Sequence, residues 1–272
     1  MYSVKAGEPA EISTMKITTW NVNSLTARLA HVLQWLEANP VDVLCLQELK
    51  MTDDKFPFEA LRTAGYDAVA LGQKTYNGVA ILSRAPLRDV VKNIVGFEDE
   101  HSRVITATVD SLMGPIRVMN GYFVNGQEPG SEKFAYKMRW LDGLQAYVRA
   151  EMAAHPQLVL LGDFNITPED RDSFDPVGLK DTIHHTKEER EHFRQLLALG
   201  LTDTFRLFEQ LPKSFSWWDY RMLGYQKNRG LRIDHILVTD ALKSQVRGCT
   251  VDRSPRKWEK PSDHAPVTAE LG

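Results

Sequence analysis

The chain has 272 residues, 43% of them hydrophobic and 25% charged, so it is long enough to bury a substantial core and is globular in composition. Its two cysteines, Cys45 in an apolar run and Cys249 near the end, exclude a disulfide framework, and no apolar stretch reaches membrane-spanning length. The net charge of −3 is uneven: Lys213–Lys260 holds eleven Lys and Arg against five Asp and Glu, which makes that segment +6 and the remainder −9. A polyanion contacted from one side fits this asymmetry, as does an ordinary mixture of solvated charges.

Taken in order, the first fourteen residues, MYSVKAGEPAEIST, lack the apolar core of a signal peptide. They are expected to be a disordered extension or an expression leftover, with one domain over 15–272 and a cytoplasmic location by default. Lys16–Trp20 reads as a short strand leading to Asn21 and Asn23, whose side chains share a face if the segment stays extended. A helix follows with Leu29, Val32, Leu33 and Leu36 on one stripe, stopped by Asn39-Pro40. Val41–Leu46 is a continuous apolar strand ending in Gln47-Glu48. Asp53 or Asp54 is expected to cap a second helix carrying Phe58 and Leu61 and closed by Gly65.

Gly78–Leu82, Val104–Val109 and Ile116–Met119 read as strands, and the last runs into Asn120–Gly126 with Tyr122 inside it. Phe134, Met138, Leu141, Leu144, Val148 and Met152 mark one face of a long amphipathic helix, closed by Pro156. Leu158–Asn165, LVLLGDFN, is the central stretch. Its apolar run suits a strand buried on both faces, and it delivers Asp163 and Asn165 where open α/β sheets place chemistry. An Asx turn fits the same residues.

Thr186 and Glu189 form a capping-box pair for a helix bearing Phe193, Leu196 and Leu197, with Gly200 after its end. His184-His185 precedes that helix. A solvated pair is the default reading; the other is that one histidine borders a binding pocket and filters what enters. Beyond Gly200 the chain turns to strands and aromatic loops, among them Ser214–Tyr220 (SFSWWDY), Leu231–Val238 and Ser262–Val267. No linker composition, low-complexity run or repeat appears, which favours one layered α/β domain with mixed or antiparallel sheets.

Glu48, Asp163, Asp234 and Asp263 stand at or near the ends of apolar runs, accompanied by Asn21, Asn23 and Asn165. If these ends converge, the site is rich in hard oxygen donors and suits Mg²⁺ or Mn²⁺ better than Zn²⁺. Mg²⁺ takes few carboxylates, so the surplus is free to activate water or orient a histidine. His264, beside Asp263, is that histidine; a carboxylate neighbour favours its imidazolium, which stabilises charge developing on a phosphate.

Trp20-Asn21-Val22-Asn23, Leu46-Gln47-Glu48, Gly162-Asp163-Phe164-Asn165, Arg232-Ile233-Asp234 and Ser262-Asp263-His264-Ala265-Pro266-Val267 resemble, in order, the exonuclease III branch of the endonuclease/exonuclease/phosphatase (DNase I-like) superfamily. The resemblance implies a four-layer α-β-β-α sandwich and Mg²⁺-dependent hydrolysis of DNA phosphodiesters, with Mn²⁺ substituting. It implies Glu48 as the principal metal ligand, with Asn21 or Asn23 and Asp263 close to the ion and Asp163, Asn165 and His264 bordering it. Asp163 would activate water, helped by Asn165. His264, oriented by Asp234, and Tyr122 would meet the phosphate. Trp217, Trp218, Tyr220, Arg221, Asn228, Arg229 and Leu231 resemble the DNA-facing loops of this branch, although Leu231 stands where some relatives carry tryptophan and Val124 where proline is frequent.

The expected substrate is double-stranded DNA with abasic sites, nicks or 3′ ends, bound by a monomer. Two other readings are a superfamily phosphoesterase acting on a phosphoinositide or sphingolipid, and a non-catalytic DNA-binding member. The basic C-terminal third opposes the first, and the retained acids oppose the second.

Overall fold

Alternation within the apolar runs sets the layers. Val159 and Leu161 point into one hydrophobic cluster with Ile17, Val43, Ile81, Val118 and Ile236. Leu158 and Leu160 point the other way, onto Trp140, Leu144, Val148, Phe193 and Leu196. A strand flanked on both faces needs no polar position, which is why LVLL is unbroken. Each such fully buried side chain contributes about 1.5–3 kcal/mol.

The computed structural model describes residues 14–272. The expected N-terminal extension lies, except for Thr14, outside the described residues. In chain order the main elements are β1 (Met15–Asn21), α1 (Leu25–Ala38), β2 (Val43–Gln47), α2 (Phe58–Thr63), β3 (Asp67–Leu71), β4 (Val79–Ser83), β5 (Leu87–Lys92), β6 (Val104–Ser111) and β7 (Gly114–Tyr122). There follow α3 (Glu132–Ala154), β8 (Leu158–Asp163), α4 (Lys187–Ala198), β9 (Leu201–Asp203), β10 (Trp217–Trp218), β11 (Gly230–Leu231), β12 (Asp234–Thr239), α5 (Asp240–Lys243), β13 (Val246–Val251) and β14 (Val267–Leu271).

Two six-stranded mixed sheets, ordered β13-β14-β1-β2-β4-β3 and β5-β6-β7-β8-β12-β9, pack face to face. Helices α1 and α2 cover the first through Trp20, Leu44, Val32, Trp35 and Leu61, and α3 and α4 cover the second. The expected four-layer sandwich is therefore present. Among the described residues no helix is long and apolar enough to cross a membrane.

Register brings the polar strand ends together. β1 runs parallel to β2 with Asn21 beside Gln47, and β7 runs parallel to β8 with Tyr122 beside Asp163. β12 runs antiparallel to β8, so its first residue, Asp234, pairs with Asp163. Buried amides link the sheets at this end: Gln47 Nε2 donates to Asn120 Oδ1 at 2.7 Å, and Asn120 Nδ2 donates to Leu46 O at 2.9 Å.

Three readings from sequence change. β3, β5 and β13 are additional strands, all three of them edges, where half-exposed positions blur the period-2 signal. Neither Asp53 nor Asp54 caps α2, whose N-cap is Pro57; they begin a short 3₁₀ turn, and Asp53 Oδ1 instead accepts from Gly72 N. Asn23 leaves the extended conformation at φ 45°, so it does not continue the face of Asn21 along a strand.

Candidate active site

Gly162 allows the central strand ends to converge. It sits opposite Gly121 in the β7–β8 pair with φ +142°, and a Cβ there would lie 1.8 Å from Gly121 O. Any side chain must spread the strands that deliver Tyr122 and Asp163. Gly162→Ala is expected to cost about 2 kcal/mol or more in urea unfolding; an unchanged midpoint would show that the pair spreads freely.

Asp163 is held from three directions. Asn21 Nδ2 donates to its Oδ2 at 2.9 Å, and Asn165 N donates to its Oδ1 at 2.9 Å. His264 Nε2 lies 3.6 Å from Oδ2. On its other side His264 Nδ1 donates to Asp234 at 2.9 Å, and all three side chains are buried. Burial alone would strip the proton from His264, but Asp234 and then Asp163 outweigh it and hold the pKa up to about 10. Burial also pushes the Asp163 carboxyl up, against the His264 charge, to about 7.

A second group of oxygens lies beside this one. Lys50 Nζ sits 2.9 Å from Glu48 Oε1 and donates to Asn23 Oδ1 at 2.7 Å. Asn23 Nδ2 donates to Asp263 Oδ1 at 3.0 Å, and Trp217 Nε1 holds Asp263 Oδ2 at 2.9 Å. Two oxygens converging on an ammonium make a seat for a cation, and the donors are hard, as Mg²⁺ requires. Asp163, Asp234 and His264 also offer donor atoms within 4.8 Å of one another, close enough to hold an ion.

Three of the expected ligands already have protein partners. Asn21 Oδ1 accepts from Asn23 N at 2.9 Å and its Nδ2 is given to Asp163, so it orients Asp163, with one lone pair of Oδ1 left over. His264 sets Nδ1 against Asp234 and Nε2 towards Asp163, so it could join an ion only by giving up the Nε2 proton. Asn165 has its amide committed as well: Nδ2 donates to Phe123 O at 3.0 Å, and Oδ1 accepts from Asn125 Nδ2 at 3.2 Å.

Tyr122 stands against Arg103, whose guanidinium lies 5.3 Å from the ring centroid. Burial, with Glu48 and Asp163 nearby, pushes its hydroxyl well above the ordinary range, so it is a proton donor at neutral pH.

Next to these groups is a cavity of about 580 Å³ lined by Trp217, Leu231, Phe174, His184, Arg221 and Arg229 among others. Its aromatic and apolar walls pair with cationic edges, which is what an unstacked nucleotide needs. Leu231 pairs in register with Trp217, so these two build one wall. Tyr220 is exposed and donates to Pro261 O at 2.7 Å. Trp218 is a correction: it is fully buried, and its Nε1 donates to Asn228 Oδ1 at 3.0 Å. Asn228 Nδ2 in turn donates to Lys213 O at 3.1 Å, so Trp218 and Asn228 support the loop from inside.

The histidine pair is not solvated. His185 Nε2 is 2.9 Å from Ser173 Oγ, and His184 Nδ1 donates to Asn165 O at 2.7 Å. Burial, and then the Lys137 charge, lowers His184 to about 4, which keeps it neutral. Sequence reading also passed over Met222, which lines the cavity, and its neighbour Leu223, exposed apolar residues at φ 57° and 56°. Two consecutive apolar residues inside a basic loop were the available signal.

The family model of the Endonuclease/Exonuclease/phosphatase family matches residues 18–264. The chain belongs to this family. Among its members, Exodeoxyribonuclease III of Haemophilus influenzae is 35% identical over 270 residues, covering 94% of this chain and 100% of the relative. The structure of a 3′ phosphatase (NExo) from Neisseria, bound to a product DNA hairpin, is 49% identical with a TM-score of 0.92, covering 95% and 99% of the two chains. An AP endonuclease from Archaeoglobus fulgidus is 35% identical with a TM-score of 0.89, covering 94% and 99%. This Endonuclease/Exonuclease/phosphatase member is of the exonuclease III type, a hydrolytic nuclease of DNA repair.

Proposed function

We propose that the protein hydrolyses phosphate esters of duplex DNA in a Mg²⁺-dependent reaction, acting at 3′ ends, at nicks and at abasic sites. The observation that carries this is Asp163 held between Asn21 and an Asp234-paired His264, with an oxygen-lined cation seat alongside.

Glu48, with Asn23 and Asp263, would hold the cation. When bound, it supplies positive charge to phosphate oxygens, and Mn²⁺ substitutes because it shares the preference for oxygen donors. Asp163 accepts the proton of an attacking water as general base, its orientation set by Asn21 and Asn165 N. His264, kept charged by Asp234, holds a non-bridging phosphate oxygen, and the Tyr122 hydroxyl donates a hydrogen bond to the same group. Trp217 and Leu231 face the displaced sugar, Arg221 and Arg229 meet flanking phosphates, and Met222 and Leu223 wedge against the duplex.

Duplexes bearing a recessed 3′ end, a 3′-phosphate or an abasic-site analogue test the reading in Mg²⁺ and in EDTA. Cleavage in Mg²⁺ and none in EDTA is expected. Cleavage in EDTA, or none of any DNA, would sink it. Turnover of a phosphoinositide or sphingolipid in place of DNA would establish the competing substrate class, which the similarity to exodeoxyribonuclease III and to an AP endonuclease disfavours.

His184 narrows the nucleotide cavity from the side of Asn165. His184→Gly, and Ser as a second replacement, is expected to raise abasic-site incision relative to 3′-end digestion by about tenfold, the scale of specificity that a filled or emptied pocket carries. An unchanged ratio would remove His184 as a filter.

A further inference from the structure

Lys137 and Glu189 form an ion pair with both side chains 0% exposed. Burying two charges costs several kcal/mol for each, and an apolar pair of similar volume is often as stable or more so. Stability alone therefore does not account for them. Their partners do.

Lys137 has three N–H donors, and all are used. One meets Glu189 Oε1; the others donate to Asn165 O at 2.8 Å and Asn125 O at 3.1 Å. Glu189 Oε1 also accepts from His184 N at 3.1 Å, while Oε2 accepts from Thr186 N at 3.0 Å and Thr186 Oγ1 at 2.8 Å. One ion pair thus ties the loop after β7, the loop after β8 and the loop before α4. Gly126, at φ +87°, packs so closely that a Cβ there would meet the Lys137 Cδ at 2.9 Å.

The connection to chemistry runs through one peptide. Asn165 has φ 51°, in the left-handed region that asparagine enters more readily than most residues other than glycine. Its carbonyl is gripped by Lys137 and His184, and its N–H holds Asp163 Oδ1. We propose that Lys137 and Glu189 are positioning residues for this nuclease, fixing the Asn165 peptide and thereby the orientation of Asp163. The proposal rests on reading Asp163 as the base.

The test replaces the pair by apolar residues, Lys137→Met with Glu189→Leu, and compares single-turnover cleavage of a 3′-recessed duplex with DNA binding in EDTA and with thermal unfolding. The expected result is a rate lowered about 10- to 100-fold, the scale of a misplaced catalytic group, with DNA affinity retained and the unfolding midpoint, lowered by the donors that Glu189 leaves unpaired, still above the assay temperature. In an Asp163→Asn background the same replacement should cost no more than about twofold, because the pair acts only through the orientation of the Asp163 carboxylate. A wild-type rate in the apolar pair, or a loss of equal size with and without the Asp163 carboxylate, overturns the proposal. If the apolar pair does not fold, Glu189→Gln, which keeps the volume, is judged by the same two outcomes. Wild-type protein that cleaves no DNA removes the functional reading and this inference together; an active wild type with an unaffected variant removes only the inference.

Discussion

Replacing Asp163 by Asn is expected to lower turnover on a 3′-end substrate about 10³-fold, within the range a positioned base contributes. The substitution preserves volume and leaves Oδ1 available to Asn165 N, but removes the only oxygen in the cluster that faces both Asn21 Nδ2 and His264 Nε2. DNA affinity in EDTA should hold or rise, because a carboxylate near the phosphate is lost. Affinity measured by fluorescence anisotropy alongside single-turnover rates separates the two effects. A variant that loses binding and rate in equal proportion would make Asp163 a binding residue.

The second large effect concerns pH. Asp163 must be ionised to act as base, so activity should rise with pH through about 7. His264 must keep its proton to hold phosphate, so activity should fall as pH passes about 10. Asp234 is the main group holding that proton against burial. Asp234→Asn should therefore bring the descending limb to lower pH and cut the rate at neutral pH about 100-fold. Rate–pH profiles of wild type and variant check this. A descending limb that stays in place would mean that His264 is not the group titrating there.

How far the sequence could lead depended on what each side chain answers to. Apolar runs in β2, β8 and β12 show in sequence because a strand covered on both faces excludes polar residues locally. Asp163 and Asp234 were legible for the same reason, since each marks where such a run ends. Asn21 was visible as a site residue but not in its role; that depends on Asp163 from the other sheet, 142 positions away. Trp217 and Trp218 look alike in sequence, yet pairing of β10 with β11 turns one to the cavity and the other inward. Lys137 lies on a helix that the sequence reveals only through its apolar stripe, and Glu189 read as a capping residue, which it also is. Their pairing joins two helices and three loops, and no local pattern carries that information.

The amide bridges at one end of the sandwich have a wider consequence. Aliphatic surfaces pressed together have no strongly preferred offset, and small slips between them cost little. Gln47 with Asn120, and Asn21 with Asp163, admit one offset only. Tolerance to substitution should therefore be graded along the length of the sandwich: permissive where Met15, Val109 and Val246 meet, and strict where the amides are. Loops at the strict end can then diverge toward new DNA lesions while the two halves of the active site keep their spacing.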